Sequence, residues 1–313
     1  MNSLMPRIDM HAHYIPNALQ KLFDRRGINK PDGYPLPKWD LPIQFEYMDK
    51  LNIVFAALTI SSPHPHFGDA QESIDAIHAS NEEGLKMARE YPDKLGIIAT
   101  LPLPEIEASI DEIEFALKEG ALGFVMPSNA QGVYLGDERL DPVFERLNKH
   151  KALLTFHPTT PSAVPQNVLT DFPRPIFEFL FDTTRAVMNM IVNGVPDRYP
   201  DIKYVLPHGG AVLPMTPNRI KTNTDRFYPD KKMDIFASLR FFNYDLAGYV
   251  VPNQLGTLLR TTELSHLVYG ADGPHTMINN ALFCAKELDE TDILTDEQRN
   301  IIYIENAKRL LGI

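Results

Sequence analysis

The chain has 313 residues, of which 44% are hydrophobic and 23% are charged. These fractions match those of folded proteins and exclude wholesale disorder, while the length fits either two ordinary domains or one α/β barrel. The formal net charge of -11 argues against a nucleic-acid or anionic membrane surface as the principal partner.

Apolar segments rich in β-branched and aromatic residues alternate along the chain with longer segments of helical periodicity. The clearest helical patterns cover residues 69–90, 105–119 and 175–195, and Thr295 is the predicted N-cap of a closing helix at 295–311. Because helical segments separate the strands, parallel pairing through crossovers is the natural arrangement. We predict eight strands, at residues 7–13, 54–61, 94–102, 121–128, 152–158, 202–208, 237–244 and 266–272.

Eight strands with connecting helices predict an α/β fold, a (β/α)8 TIM barrel that occupies residues 1–313 as one domain. A proline-rich segment at 29–42 lies too close to the N-terminus to separate two cores. We therefore interpret it as a loop insertion after the first strand, with Trp39 as a candidate wall of the site.

Cysteine content and hydropathy bear on the location of the protein. Cys284 is the only cysteine, which excludes an intramolecular disulfide, and its apolar surroundings predict a buried structural thiol rather than a nucleophile. The sequence has no apolar run of about 18 residues and no signal-like N-terminus. We expect a cytoplasmic protein without a membrane span.

A His-x-His pair lies at the end of the first predicted strand. Strand geometry turns Asp9, His11 and His13 to the same face, so two imidazoles point into the barrel. Neutral imidazole is a preferred ligand of zinc, manganese and similar ions. Surface histidine pairs are common, however, so this pair alone is weak evidence for a metal site.

Three more polar residues end predicted strands at a distance in the sequence. His157, His208 and Asp272 end the fifth, sixth and eighth strands, and each stands before a proline or glycine turn. Because barrel active sites lie at the C-terminal ends of the strands, these residues and the first-strand pair are predicted to share one mouth. The arrangement favours a metal site there.

The remaining histidines near strand ends have less specific settings. His64 and His66 follow the second strand among prolines, so we expect a rim loop that can contact substrate rather than a second metal site. His275, three residues after Asp272, is either a supporting residue of the site or a solvated side chain.

Eight short motifs distributed along the chain resemble those of the amidohydrolase superfamily. The resemblance covers nearly the whole chain and is greatest for the branch that includes aminocarboxymuconate-semialdehyde decarboxylase and the 6-methylsalicylate decarboxylases. It implies a distorted TIM barrel of the amidohydrolase type. The motifs are Asp9-Met-His-Ala-His13, Ala99-Thr-Leu-Pro-Leu-Pro104, Gly132-Val-Tyr-Leu-Gly-Asp137, Phe156-His-Pro158, Phe181-Asp-Thr-Thr-Arg185, Arg198-Tyr-Pro-Asp-Ile202, His208-Gly-Gly-Ala211 and Tyr269-Gly-Ala-Asp-Gly-Pro274.

The resemblance also implies roles for the strand-end residues. His11, His13, His157 and Asp272 would be the ligands of one divalent ion, with zinc expected first and manganese as the alternative, and His208 would be a catalytic histidine. The end of the fourth strand, residues 124–128, contains no lysine that could be carbamylated to bridge a second ion. Members of this branch suggest a homodimer or larger homo-oligomer.

Two further positions bear on the substrate. Where the semialdehyde decarboxylase has a carboxylate-binding arginine, this chain has Gln44. Loss of a bidentate guanidinium contact favours a substrate with a single carboxylate. Arg185 matches a position similar in 6-methylsalicylate decarboxylases; we prefer an ion pair with Asp182 over substrate contact, which stays the alternative.

The resemblance favours a metal-dependent carboxy-lyase that acts on a small hydroxy-aromatic carboxylic acid such as 6-methylsalicylate. In this non-oxidative decarboxylase, Asp272 would deliver a proton to the ring carbon while His208 orients the substrate. The main alternative is a metal-dependent hydrolase of a lactone or amide, in which His208 deprotonates a metal-activated water. A non-catalytic ligand-sensing barrel is a third hypothesis.

Overall fold

A parallel sheet of eight strands forms the centre of the protein in a computed structural model that describes residues 4–165, 167–230 and 233–313. Each strand pairs with the next one along the chain, so the strand order is the sequence order. The strands are β1 Arg7–His13, β2 Ile53–Thr59, β3 Leu95–Thr100, β4 Gly123–Pro127, β5 Leu153–His157, β6 Lys203–Leu206, β7 Asn243–Asp245 and β8 Leu267–Val268.

Backbone hydrogen bonds join the first strand to the segment that follows the last one. The amide of Met10 donates to the carbonyl of Tyr269 at 2.9 Å, and the amide of Asp272 donates to the carbonyl of His11 at 2.7 Å. These contacts bring the two edges of the sheet together. The eight parallel strands and surrounding helices therefore form a nearly closed (β/α)8 TIM barrel, and the predicted fold class is confirmed.

Helices surround the barrel and cover the apolar outer faces of the strands. The longest, at Ala70–Glu90, begins after Asp69, whose carboxylate accepts a hydrogen bond from the amide of Glu72. The helices are α1 Asn17–Arg26, α2 Leu41–Leu51, α3 Ala70–Glu90, α4 Ile106–Lys118, α5 Asp141–Lys149, α6 Glu178–Val192, α7 Val195–Arg198, α8 Pro217–Phe227, α9 Ile235–Phe241, α10 Asn253–Leu258, α11 Ile278–Glu290, α12 Asp296–Asn300 and α13 Asn306–Leu311. Across the described ranges, no helix is both long and apolar enough to cross a membrane.

The predicted closing helix is present, with a local irregularity. Thr295 caps it as predicted, and its side chain and that of Gln298 form a reciprocal capping box. A π-helical segment at Ile301–Glu305 joins α12 to α13. Residues 29–40 of the proline-rich segment lie between α1 and α2, and its last two residues begin α2. The helix α1, which we did not predict, separates the segment from the first strand.

The predicted strand at 237–244 is wrong over most of its length. Residues Ile235–Phe241 form α9, because the carboxylate of Asp234 accepts hydrogen bonds from the amides of Phe236 and Ala237 and so caps a helix. The strand β7 begins only at Asn243. Apolar residues at helical spacing can be mistaken for a strand in so short a segment.

Cys284 lies on α11 and is half-buried rather than fully buried. Burial raises the pKa of its thiol to about 11, so the thiol stays protonated near neutral pH. A protonated thiol is a poor nucleophile, which agrees with the predicted structural role.

A fully buried arginine joins the first strand to the closing helices. The Nη2 atom of Arg7 donates to both carboxylate oxygens of Asp289, at 3.1 and 2.8 Å, and its guanidinium lies 4.9 Å from the ring centre of Tyr269 and 4.7 Å from that of Tyr303. Asp289 also accepts from the Tyr303 hydroxyl at 2.9 Å. This pair is therefore a structural element at the end of the barrel opposite the strand C-termini.

Asp289→Ala should lower the free energy of unfolding by about 3–5 kcal/mol, because it leaves the buried Arg7 charge without its carboxylate partner. Urea denaturation provides the measurement. The control is Glu290→Ala on the same helix, whose pair with Lys286 is solvent-exposed and whose loss should change stability by less than about 1 kcal/mol. Equal effects of the two variants would contradict a structural role for the buried pair.

Candidate metal centre and its cavity

The four residues predicted to bind a metal lie together at the C-terminal end of the barrel. One ligand atom from each of His11, His13, His157 and Asp272 lies within 4.8 Å of the others. The three histidines are buried, and the side chain of Asp272 is 21% exposed. A buried group of three imidazoles and one carboxylate at this spacing suits a divalent metal ion.

The two histidines of β1 reach the cluster from an irregular strand. The pairing of β1 with β2 shifts register between Asp9 and Ala12, a segment that contains His11. Such an irregularity redirects side chains relative to a regular strand. The ring centres of His11 and His13 are 4.9 Å apart and their planes are nearly perpendicular, so their edges converge on one region.

His208 and Asp272 lie beyond the strand ends at which we predicted them. His208 is the first residue of the short helical turn His208–Gly210, after β6 has ended at Leu206, and Asp272 lies in the loop after β8. Both have a positive backbone φ, 54° for His208 and 58° for Asp272. Non-glycine residues rarely adopt this conformation, and such conformations cluster at functional sites.

The ring orientation of His11 is set by Asp245, a residue that we did not predict. The Nδ1 atom of His11 lies 2.7 Å from Oδ2 of Asp245. The opposite ring nitrogen, Nε2, is buried and has no hydrogen-bond partner among the described residues. A buried nitrogen without a hydrogen-bond partner is costly, so this arrangement suits a metal ligand with a carboxylate behind it.

Asp245 also positions the turn that contains His208. Its second oxygen, Oδ1, accepts from the amide of His208 at 2.9 Å and from the amide of Ala247 at 3.1 Å. The sequence does indicate that a strand ends near Asp245, because the turn-forming Gly248 follows it by three residues. Asp245 was missed because the predicted seventh strand stopped at residue 244.

His157 is oriented by a backbone contact. Its Nδ1 atom lies 2.7 Å from the carbonyl oxygen of Pro158, a contact in which the imidazole donates. The proton is therefore on Nδ1, and Nε2, 3.4 Å from the hydroxyl of Ser61, has a lone pair to offer.

Burial controls the charge of the other imidazoles in the site. It lowers the pKa of His13 and His208, and lowers that of His157 well below its usual value, so these three rings are neutral near pH 7. A neutral imidazole is the form that binds a metal.

The carboxylates counteract burial elsewhere in the cluster. Burial alone would raise the pKa of Asp272, but the neighbouring His11 and His13 rings hold it well below its ordinary value. Burial would likewise lower the pKa of His11, yet the charge of Asp245 and contacts with Asp272 hold it well above 6.5. Asp272 is therefore ionised near neutral pH.

A cavity of about 480 Å³ opens on this cluster, a size that suits a small organic ligand. One wall is apolar and includes Ile176, Phe179 and Leu180. No lysine or arginine occurs among the residues that line it within the described parts of the chain. The residues with polar side chains that line it are Tyr34, Ser61, His157, His208, Tyr249, Gln254, Asp272, His275 and Thr276.

Arg185 forms the ion pair with Asp182 that we preferred. Its Nη1 atom lies 2.8 Å from Oδ1 of Asp182, and Arg185 does not line the cavity. The buried Asp182 carboxylate also accepts from the side chains of Ser128, Asn129 and Tyr134. Asp182 thereby fixes the segment after β4.

His64 and His66 do not belong to the cluster formed by His11, His13, His157 and Asp272. His64 contacts the carbonyl of Leu103 through Nε2 at 2.7 Å, and His66 lies 3.3 Å from the carboxylate of Glu105. Both line a neighbouring cavity of about 590 Å³. Neither belongs to a group with metal-ligand spacing among the residues that the structure describes.

Gln44, buried on α2, forms a hydrogen bond with the half-buried Trp39 of the preceding proline-rich segment. The indole Nε1 of Trp39 donates to the side-chain oxygen of Gln44 at 3.1 Å. Neither residue lines the cavity at the cluster. The residue of the proline-rich segment that lines it is Tyr34.

Comparisons with known proteins agree with this geometry. The family model described as amidohydrolase matches residues 8–313. Decarboxylase macB of Penicillium terrestre is 30% identical over 290 residues, which cover 88% of this chain and 86% of the relative. The 6-methylsalicylic acid decarboxylase of Penicillium expansum is 26% identical over 320 residues, 99% of this chain and 98% of the relative. A crystal structure described as amidohydrolase II has a TM-score of 0.94 at 36% identity and covers 98% of this chain and 100% of that one. The chain therefore belongs to the amidohydrolase family, in the branch that its motifs indicated.

Proposed function

We propose that this chain is a metal-dependent, non-oxidative decarboxylase of a small hydroxy-aromatic carboxylic acid similar to 6-methylsalicylate. One observation carries the proposal: the His and Asp cluster opens on a cavity that has an apolar wall. Among the described residues, no lysine or arginine lines this cavity. A substrate carboxylate in such a cavity has its favourable position at the cluster, and an aromatic ring fits the apolar wall. The names of the two decarboxylase relatives support the same reaction.

The ligands we propose for the ion are His11, His13, His157 and Asp272. Three imidazoles and one carboxylate are typical of zinc, which we propose as the ion, with manganese as the alternative. Because the pKa of His11 is raised in the metal-free protein, binding of the ion would displace the proton from this ring. A bound divalent ion would supply a net positive charge that holds the substrate carboxylate and its neighbouring phenol oxygen.

Asp272 is the proposed proton carrier. Its ionised carboxylate would accept the proton of the substrate phenol and deliver it to the ring carbon that bears the carboxylate. The bond between that carbon and the carboxylate then breaks, its electron pair returns to the ring, and carbon dioxide leaves. The phenolate product takes one proton from water. Thr276 supports this role because its hydroxyl donates to Oδ2 of Asp272 at 3.0 Å and so fixes the carboxylate.

His208 is the proposed substrate-orienting residue. Its ring lines the cavity with its centre 4.9 Å from that of His11, and its backbone is fixed by Asp245 and by the side-chain amide of Gln254. A neutral imidazole carries one N–H, which can donate to a substrate oxygen without removing the proton that the ring carbon needs.

The rival function is hydrolysis of a lactone or amide at the same cluster. Hydrolysis would require His208 to act as a base towards water. The apolar wall and the decarboxylase relatives favour the carboxy-lyase instead.

We further propose that the protein is a homodimer or larger. Large apolar side chains are exposed near α6 and α8, among them Phe177 at 44%, Met215 at 70% and Phe227 at 61%. Large apolar side chains left exposed on one subunit are candidates for contacts between subunits. A cytoplasmic location stays a prediction that rests on the sequence.

Incubation of the zinc-loaded protein with 6-methylsalicylate should release carbon dioxide and the corresponding phenol in equal amounts. Gas release and chromatography of the phenol provide the measurement, and a heat-inactivated sample is the control. Turnover of lactones together with no turnover of any 2-hydroxybenzoate would overturn the proposal in favour of the hydrolase.

Asp272→Asn should lower kcat by about 100-fold or more, because the amide cannot carry the proton. Zinc content and the urea midpoint should be measured on the same sample, so that loss of metal or of folding is separated from loss of proton transfer. The matched control is Asp137→Asn, which removes a partly exposed carboxylate that is paired with Arg139 outside the cluster. A wild-type rate in Asp272→Asn would remove this residue from the reaction.

Asp245→Asn should weaken zinc binding by about 10- to 100-fold, because the amide no longer fixes the His11 ring as the carboxylate does. Titration of the metal-free protein against a competing chelator measures this affinity. Asp182→Asn, a buried aspartate outside the cluster, should leave zinc affinity unchanged. Similar losses in both variants would show a general effect on folding instead.

A further inference from the structure

A tyrosine and a histidine from distant segments meet at the edge of the candidate cavity. Tyr34 belongs to the proline-rich segment between α1 and α2, and His275 follows β8. The hydroxyl oxygen of Tyr34 lies 2.7 Å from Nδ1 of His275, and the two rings are nearly perpendicular, with centres 6.0 Å apart. Both side chains line the cavity that opens on the metal cluster.

The protonation of the pair follows from its chemistry. The contact between the Tyr34 hydroxyl and Nδ1 of His275, 2.7 Å long, needs one donor and one acceptor. A phenol is a better donor than an imidazole N–H, and an imidazole nitrogen is a better acceptor than a phenol oxygen. Tyr34 therefore donates to Nδ1, and the single imidazole proton of His275 is on Nε2.

That Nε2–H has no acceptor among the described residues. Nε2 is not fully buried, and His275 lines the cavity. The nitrogen is therefore accessible to a ligand there. The pair thus presents a directed hydrogen-bond donor to whatever occupies the cavity.

The position of His275 complements that of His208. The ring of His208 lies 4.9 Å from that of His11, whereas the ring of His275 lies 5.4 Å from that of His13. Asp272 contacts both His11 and His13. The cluster therefore has His208 beside His11 on one side and His275 beside His13 on the other.

A 2-hydroxybenzoate presents two different oxygen groups on adjacent ring carbons. We propose that His275 is the residue that recognises the ortho oxygen of the substrate through Nε2–H, and that Tyr34 is a positioning residue that fixes its tautomer. The inference rests on the proposed function for its substrate class. In this proposal, the preference for substrates with an ortho hydroxyl comes from a hydrogen bond donated by His275 in the loop after β8.

Binding of unsubstituted ligands tests this assignment without any need for turnover. Salicylate and benzoate differ by the ortho hydroxyl, and their dissociation constants for the zinc-loaded protein can be measured by calorimetry. His275→Phe should reduce the preference for salicylate over benzoate by about tenfold, the value expected for loss of one hydrogen bond to a charged or polarised oxygen. Benzoate affinity should change little.

Two further variants distinguish recognition from a structural contact. His275→Gln keeps an N–H donor near the position of Nε2 and should restore part of the preference. Tyr34→Phe keeps the ring but removes the hydroxyl, and it should reduce the preference in the same direction by a smaller factor. Urea midpoints and zinc affinities close to wild type establish that each variant is folded and loaded.

An unchanged salicylate-to-benzoate ratio in folded His275→Phe would overturn the assignment, and so would an equal loss of both ligands. No preference for salicylate in the wild-type protein would overturn it too. Failure of the proposed function has a different signature, because the enzyme would then bind salicylate with the expected preference yet release no carbon dioxide from any 2-hydroxybenzoate.

Discussion

The backbone hydrogen bond from Asp272 to the carbonyl of His11 is the contact on which the candidate site depends. It closes the barrel between its first and last strands and places a carboxylate from the end of the chain beside two histidines from its beginning. Glycine makes this approach possible, because a Cβ at Gly270 would lie 2.6 Å from Cβ of His11, and one at Gly273 would lie 2.4 Å from the Tyr47 ring. Closure of the fold and assembly of the cluster are therefore the same event.

Asp245 connects this cluster to the rest of the cavity. One of its oxygens fixes the His11 ring, and the other fixes the backbone of the His208 turn. A buried carboxylate is stable only when its lone pairs are satisfied, and here they accept from the His11 ring and from the backbone amides of His208 and Ala247. A change at Asp245 is thus transmitted both to a proposed metal ligand and to the proposed orienting histidine.

Sequence reasoning reached the groups that follow a local rule and missed those that depend on distant contacts. His11, His13 and His157 could be predicted because strand periodicity and the strand-end rule apply to each of them separately. The seventh strand failed because Asp234 caps a helix within an apolar segment, and Asp245 was lost with it. The Tyr34 and His275 pair joins residues 241 positions apart, so no local pattern contains it.

The absence of lysine and arginine from the described cavity lining has a consequence for how the site tells substrates apart. A cationic side chain would attract any carboxylate, with or without an ortho hydroxyl, because charge attraction has little dependence on direction. Neutral imidazoles contribute less attraction but a fixed N–H direction, and a donor held by a second residue loses less entropy on binding. With charge concentrated at the metal cluster and direction supplied by His208 and His275, affinity and selectivity would come from separate groups. Substitution of the flanking histidines would then change which ring is accepted, whereas substitution of the ligands would abolish binding of all of them.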